Sequence, residues 1–370
     1  MKKLVTSASA LSLTVVPGFA SENDWSQLDK EVEALTASLQ SDDGPMISGF
    51  IRTLFQNSSD IPIVGLDDDG DPTLDLGDLS GFSVPDARIE LEGNVGDYSY
   101  RIEYDTVGIG GLGLDGLLDA YINFPIGTVN GTMGQFKPPV LRSSLVDRDQ
   151  LLFVDRTGVG EIFAVRDQGL MVSGDFDALG WWLTIQNGSD DVGDEYFFAG
   201  RAAFDFLGEG VGDSAEGAYG GTDEPSATVG VAYFNDGFTE IDGFALDGYL
   251  ATNVYSFGFE LVSLGEAEAA PPPGLSGFGG IPGGLASGAF LVADDSTPFA
   301  VVGSYMLTPE TWEIAARFQD FDDDADSNKI DVAVNYYIEG HDLKWTVQYS
   351  TIDSDAGDAD VITLGLLLAF

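Results

Sequence analysis

From Met46 onward, apolar and polar side chains alternate with a period of two. In 97–106, Tyr98, Tyr100, Ile102 and Tyr104 alternate with Ser99, Arg101, Glu103 and Asp105. In 328–338, Ile330, Val332, Val334, Tyr336 and Ile338 are set against Asp331 and Asn335. The stretches 342–351 and 255–261 repeat the pattern through Leu343, Trp345, Val347 and Tyr349, and through Tyr255, Phe257, Phe259 and Leu261. Period two gives a strand one apolar and one polar face. Sixteen such segments are placed near 46–55, 84–94, 97–106, 115–124, 128–136, 168–176, 179–186, 196–206, 226–234, 242–251, 254–262, 297–306, 311–321, 328–338, 342–352 and 359–370.

A two-sheet sandwich would show the same alternation. Three features favour a closed barrel that spans a membrane. The segments approach the 9–11 residues a tilted membrane strand needs, whereas globular strands average about 5–6. Bulky aromatics, among them Tyr196, Phe206, Trp312, Phe318 and Tyr336, recur near strand ends, as in interfacial girdles. The strand number is even, and the connections sort by parity. The long ones, 56–83, 137–167 and 263–296, all follow odd-numbered strands, while 95–96, 125–127, 177–178, 252–253, 307–310 and 339–341 follow even ones and are brief. Long external loops and short periplasmic turns give that asymmetry. The Gly-rich connection 207–225 breaks the rule, and a further strand at 286–293 would spoil the parity. The expected fold is all-β: a 16-stranded antiparallel transmembrane β-barrel over 46–370, with a short N-terminal periplasmic helix.

Ahead of the barrel, residues 1–20 have the form of a secretory signal. Lys2 and Lys3 precede an apolar run from Leu4 to Val16, and Pro17-Gly18-Phe19-Ala20 ends it with small residues. That run is too short to span as a helix, which needs about 20 residues. Within 21–45, Trp25, Leu28, Val32, Leu35 and Leu39 recur at spacings of three and four. This is either a coiled-coil seam or the inner face of a surface helix.

Composition narrows the function. Sixty-two acids face fifteen bases, for a formal net charge of −47, so a nucleic-acid partner is not expected. Acid runs at 67–71, 190–195 and 322–326 read as solvated loops. The chain has no cysteine, which excludes disulfides and thiolate chemistry. Asp67, Asp69 and Asp71 alternate as in a calcium loop, but Pro72 stands where an EF-hand has Gly. His341, the one histidine, has no Ser or Cys constellation around it in sequence. No enzymatic activity, metal or cofactor is expected.

Several segments resemble the phosphate-selective porin O and P family of Gram-negative outer-membrane porins. They are GQFKPP (134–139), RDQGLMVSGDF (166–176), KIDVAVNYYIEGHDLKWTVQYS (329–350) and the closing LGLLLAF (364–370). The resemblance implies a homotrimer in outer-membrane lipid, with 137–167 folded into the lumen as a constriction loop. The terminal Phe370 is similar to the signal read by outer-membrane assembly machinery.

The candidate functional residues follow from that frame. The loop holds Lys137, Arg142, Asp147, Arg148, Asp149, Asp155, Arg156, Glu161 and Arg166. Pore-lining strand positions are Arg52, Arg88, Glu90, Arg101, Glu103, Arg201, Arg317 and Lys344, since a charge facing lipid costs about 2–4 kcal/mol at the midplane. Arg52, Arg88 and Arg101 form either a basic ladder beside the loop or local pairs with Glu90, Glu92 and Glu103. Inward acids outnumber inward bases, which departs from a phosphate channel. The expected activity is passive diffusion of ions and small hydrophilic solutes, weakly cation-selective or nonselective. The alternatives are an anion- or phosphate-selective porin, a secreted acidic calcium-binding β-sandwich or adhesin, and a lipase-type barrel, for which no Ser–His pair stands out.

Overall fold

The alternation closes into a ring. The computed structural model describes residues 44–66, 72–107, 116–188, 195–265, 295–323, 325–355 and 357–370. The signal segment, the 22–40 helix, Asp67, Asp69 and Asp71, and the segment 286–293 lie outside them. Sixteen strands follow in order: β1 (Met46–Leu66), β2 (Pro72–Val95), β3 (Tyr98–Asp105), β4 (Leu117–Ile126), β5 (Val129–Phe136), β6 (Asp167–Phe176), β7 (Leu179–Gln186), β8 (Phe197–Leu207), β9 (Ser226–Asp236), β10 (Asp242–Ala251), β11 (Tyr255–Leu264), β12 (Phe299–Thr308), β13 (Trp312–Asp320), β14 (Asn328–Tyr337), β15 (Leu343–Asp353) and β16 (Ala359–Ala369). Each pairs antiparallel with its neighbours in sequence, and β1 closes the barrel on β16. This closure overturns the sandwich, whose sheets would have edges.

The two faces of the wall separate cleanly. Val347 is 49% exposed and the adjacent Gln348 1%. Leu183, Phe198, Val231, Phe244, Phe257 and Ile362 continue the exposed apolar belt around the barrel. Trp312 stacks on Tyr336 at 4.6 Å near one rim. An apolar belt of this extent on a closed sheet is the surface a barrel presents to lipid.

Two features depart from the sequence reading. First, 56–83 is mostly not a loop. β1 and β2 continue as a two-stranded ribbon to the pairs Gly65↔Thr73 and Leu66↔Pro72, with register shifts on the way. The acids and glycines there masked the strand signal. Second, the lumen is not lined throughout by polar groups. Ala199, Ala232, Ala245, Ala315 and Ala333 point inward, and Val140, Leu141, Val159, Ile162, Phe163, Leu152 and Phe153 pack against them. Small residues on the wall leave room for the apolar side chains of 137–166, so part of the barrel interior is a dry, close-packed core.

Candidate functional site

The segment 137–166 joins β5 to β6 and runs through the barrel interior. It contains two short helices, α1 (Arg142–Leu145) and α2 (Gly158–Ile162), with a 3-10 turn at Arg148–Gln150 between them. Thr157 starts α2, its hydroxyl accepting from the Gly160 N–H at 3.0 Å. A backbone enclosed by a barrel cannot rely on water for its hydrogen bonds, so the wall must supply partners. Long polar side chains at inward positions do so. Arg201 Nη1 donates to Val140 O at 2.7 Å, Lys344 Nζ to Leu151 O at 2.6 Å, Asn335 Nδ2 to Leu152 O at 2.9 Å and Arg317 Nη1 to Asp155 O at 2.9 Å. Arg52 donates to Val154 O. Gln348 Oε1 accepts from the Val154 N–H at 2.9 Å, and Gln319 Oε1 from the Gly158 N–H at 2.8 Å. These partners come from β1, β8, β13, β14 and β15, so the segment spans the ring rather than hugging one wall.

A dense ionic cluster occupies the β2–β4 side. Arg88 reaches Asp86 at 3.0 Å, Glu103 at 2.9 Å and Asp105 at 3.3 Å. Arg52 pairs with Asp86 at 2.5 Å. Arg101 meets Glu90 at 3.0 Å and Asp147 at 3.3 Å. Arg166 binds Glu103 and Asp119, both at 3.1 Å. Arg148 meets Glu161 and, at 3.6 Å, Asp86, while Arg156 meets Glu161 at 3.4 Å and Lys137 meets Asp147 at 3.3 Å. Arg52, Arg88 and Arg101 therefore form local pairs and no ladder of unpaired bases. Asp86, which links Arg52, Arg88 and Arg148, escaped the sequence reading, although its parity with Arg88 marks it as inward. Asn335 and Gln348 were legible as polar-face positions, but their role as partners of the inward backbone was not, nor was that of Gln319, because neutral side chains carry no charge signal.

The loop's own charges respond to this setting. Burial raises the Glu161 carboxyl, but Arg148 and Arg156 more than offset it and hold the group down at about 2. Burial, reinforced by Arg166 and Arg156, lowers Lys137 to about 7 against the pull of Asp147. Burial lowers Arg156 to about 10 despite Glu161. Asp147 is affected by burial too, yet Lys137 and Arg101 keep it below the usual carboxylate range. Asp149, bonded to Gln150, is raised chiefly by burial.

The remaining candidates stand apart from the cluster. Arg201 forms a two-point pair with Asp247 at 2.5 and 2.8 Å across β9, where Gly230 offers no side chain to obstruct it. Arg317 bonds Asp331 at 2.8 Å. Arg142 lies over the Tyr249 ring at 4.0 Å and donates to Gly212 O at 2.5 Å. A cavity of about 30 Å³ beside it is lined in part by Ser143, Thr157, Glu216, Asp247 and Glu260. Among the described residues no group of three or more His, Cys, Asp or Glu is arranged to hold a metal ion.

No protein-family model and no curated protein matches the sequence. Solved structures do match the fold. An anion-selective porin from Comamonas acidovorans superposes with a TM-score of 0.54 at 12% identity, covering 88% of this chain and 99% of that one. In-vitro folded OmpT, an outer-membrane protein of Vibrio cholerae in trimer form, gives 0.53 at 11% identity, with the same coverage. A loop-deletion mutant of that protein gives 0.51 at 13%. The closed sixteen-stranded ring is thus the fold of solved outer-membrane barrels.

Proposed function

We propose that the protein is an outer-membrane porin, a channel for passive diffusion of ions and small hydrophilic solutes, and not an enzyme. It is weakly cation-selective or nonselective. The carrying observation is the state of the inward arginines: each one named above is engaged by a carboxylate or by backbone carbonyls. Anion selection needs donors left over for the solute, whereas the acid excess of the chain favours cations at the mouth, over distances up to the roughly 8–10 Å that salt leaves unscreened. The membrane setting is supported by the apolar belt and by the likeness to solved outer-membrane barrels.

The anion- or phosphate-selective reading draws on the resemblance in 134–139 and 329–350 and on the fold shared with an anion-selective porin. It conflicts with the paired arginines. A reversal potential in planar bilayers under a KCl gradient decides between them, and a strong anion preference would overturn the cation reading. Trimer formation in outer-membrane lipid and recognition of Phe370 by assembly machinery belong to the same proposal. Cross-linking of the native membrane fraction tests the first, and the yield of folded barrel after Phe370 deletion tests the second.

A further inference from the structure

The connection between β8 and β9 breaks the parity rule, and its position explains why. β8 is an even strand, so 208–225 starts at the end of the barrel where β1 begins and β16 ends. The segment 137–166 starts at the opposite end. Yet the two meet. The Glu216 N–H donates to Gln150 O at 3.0 Å, and the Glu216 carboxylate accepts from the Leu152 N–H at 3.0 Å. Arg142 donates to Gly212 O at 2.5 Å and to Ala215 O.

The wall holds the segment as it holds the loop. The Ala218 N–H donates to Glu313 Oε1 at 2.6 Å, the Gly217 N–H to Tyr249 Oη at 2.7 Å, and the Val211 N–H to Thr228 Oγ1 at 2.8 Å. Tyr219 stacks on Tyr337 at 4.5 Å. Ala218 is fully buried and Glu216 8% exposed. An ordinary turn at a barrel rim is short and faces water. Here the middle of the connection, residues 216–218, is buried inside the barrel, with polar partners fitted to its backbone.

We propose that 208–225 is a second constriction element, entering from the end where β1 begins and β16 ends and joined to 137–166 through Glu216, Gln150, Leu152 and Arg142, so that the two segments together set the bore. The proposal rests on the channel reading above. It adds that a solute passes a constriction with two separately anchored parts, one entering from each end of the barrel.

Two experiments on the full-length protein test it. The first replaces 210–222 with a short Asn-Gly turn and compares single-channel conductance in planar bilayers with that of the unaltered protein, after heat-modifiable migration on gels shows that both are folded. A severalfold rise in conductance is the expected result. Equal conductance and reversal potential in two folded, conducting proteins would overturn the second constriction alone. Absence of conductance from both folded proteins would overturn the channel reading itself. The second experiment keeps the segment. The chain has no cysteine of its own, so the pair Gln150→Cys and Glu216→Cys introduces one defined disulfide, between positions close enough for a backbone hydrogen bond. Near-complete oxidation in the folded barrel, seen by mass, supports the junction. Two thiols that stay free under mild oxidant in the folded protein would overturn it.

Discussion

The Asp247 carboxylate accepts two hydrogen bonds from the Arg201 guanidinium and another, at 3.2 Å, from the backbone N–H of Arg142. One side chain of β10 thus ties β8 to the first helix of the inward segment. Both charges are buried, and removing one partner of a buried pair leaves the other uncompensated. Asp247→Asn is expected to destabilise the barrel by about 3–5 kcal/mol. The temperature at which the unboiled band is lost from SDS gels should fall clearly. An unchanged temperature would show that the pair is not buried in the folded protein.

Glu161 neutralises Arg148 and Arg156 together. With its carboxyl held at about 2, it stays charged at any pH at which a bilayer measurement is made. Glu161→Gln leaves both guanidiniums with less countercharge, so the reversal potential under a KCl gradient should move toward anion preference. A shift toward cations, or none, would mean that these residues do not face the permeation path.

His341 lies in the turn between β14 and β15, with Tyr219 and Tyr337 edge-on to its ring and the Lys344 ammonium 3.2 Å from Nδ1. Burial first, and Lys344 second, hold it well below its ordinary 6.5. The unfolded chain therefore binds a proton more readily than the folded one. Stability from this site is fully present above pH 6.5 and is lost as the pH falls through the depressed folded value. His341→Gln keeps an acceptor but cannot titrate. Its urea midpoint should vary less than that of the unaltered protein as the pH is lowered below 6.5, and parallel curves would count against the buried neutral ring.

Val347 sits in the outward belt. Val347→Arg places a guanidinium against lipid at a cost of about 2–4 kcal/mol at the midplane. The yield of heat-modifiable protein in the outer-membrane fraction should drop. Equal assembly of the substituted and unaltered barrels would place that face in water.

The strand positions were legible because period-two alternation reports the wall directly. β3 through β16 begin and end within about two residues of their sequence boundaries, since each strand has one face toward lipid and that face tolerates few charges. The ribbon of β1 and β2 was not legible: beyond Ser58 and Ser80, acids, prolines and glycines interrupt the alternation. At the site, parity identified the inward charges Arg88, Arg101, Arg201 and Lys344. Parity does not say what an inward side chain meets. The Arg317 and Lys344 bonds to loop carbonyls depend on where residues 137–166 cross the lumen, which is set by packing against inward alanines such as Ala315 and Ala333. Those alanines were themselves visible as small residues at inward parity. Read as space left for a filler, they would have announced an occupied interior.

The seam between β1 and β16 pairs Phe50 with Ala369 and runs to Ser59 with Asp360. The Thr53 hydroxyl that reaches Leu366 O there is separated from it by 313 residues. Joining ends so far apart costs about 5 kcal/mol of chain entropy by the logarithmic loop-closure rule, and such distant pairings form slowly. Until that last seam zips, the growing sheet has two raw edges able to recruit another chain. Assembly is therefore a race between ring closure and aggregation, and the β1–β16 seam is the step on which a lipid surface or a folding factor has most to gain.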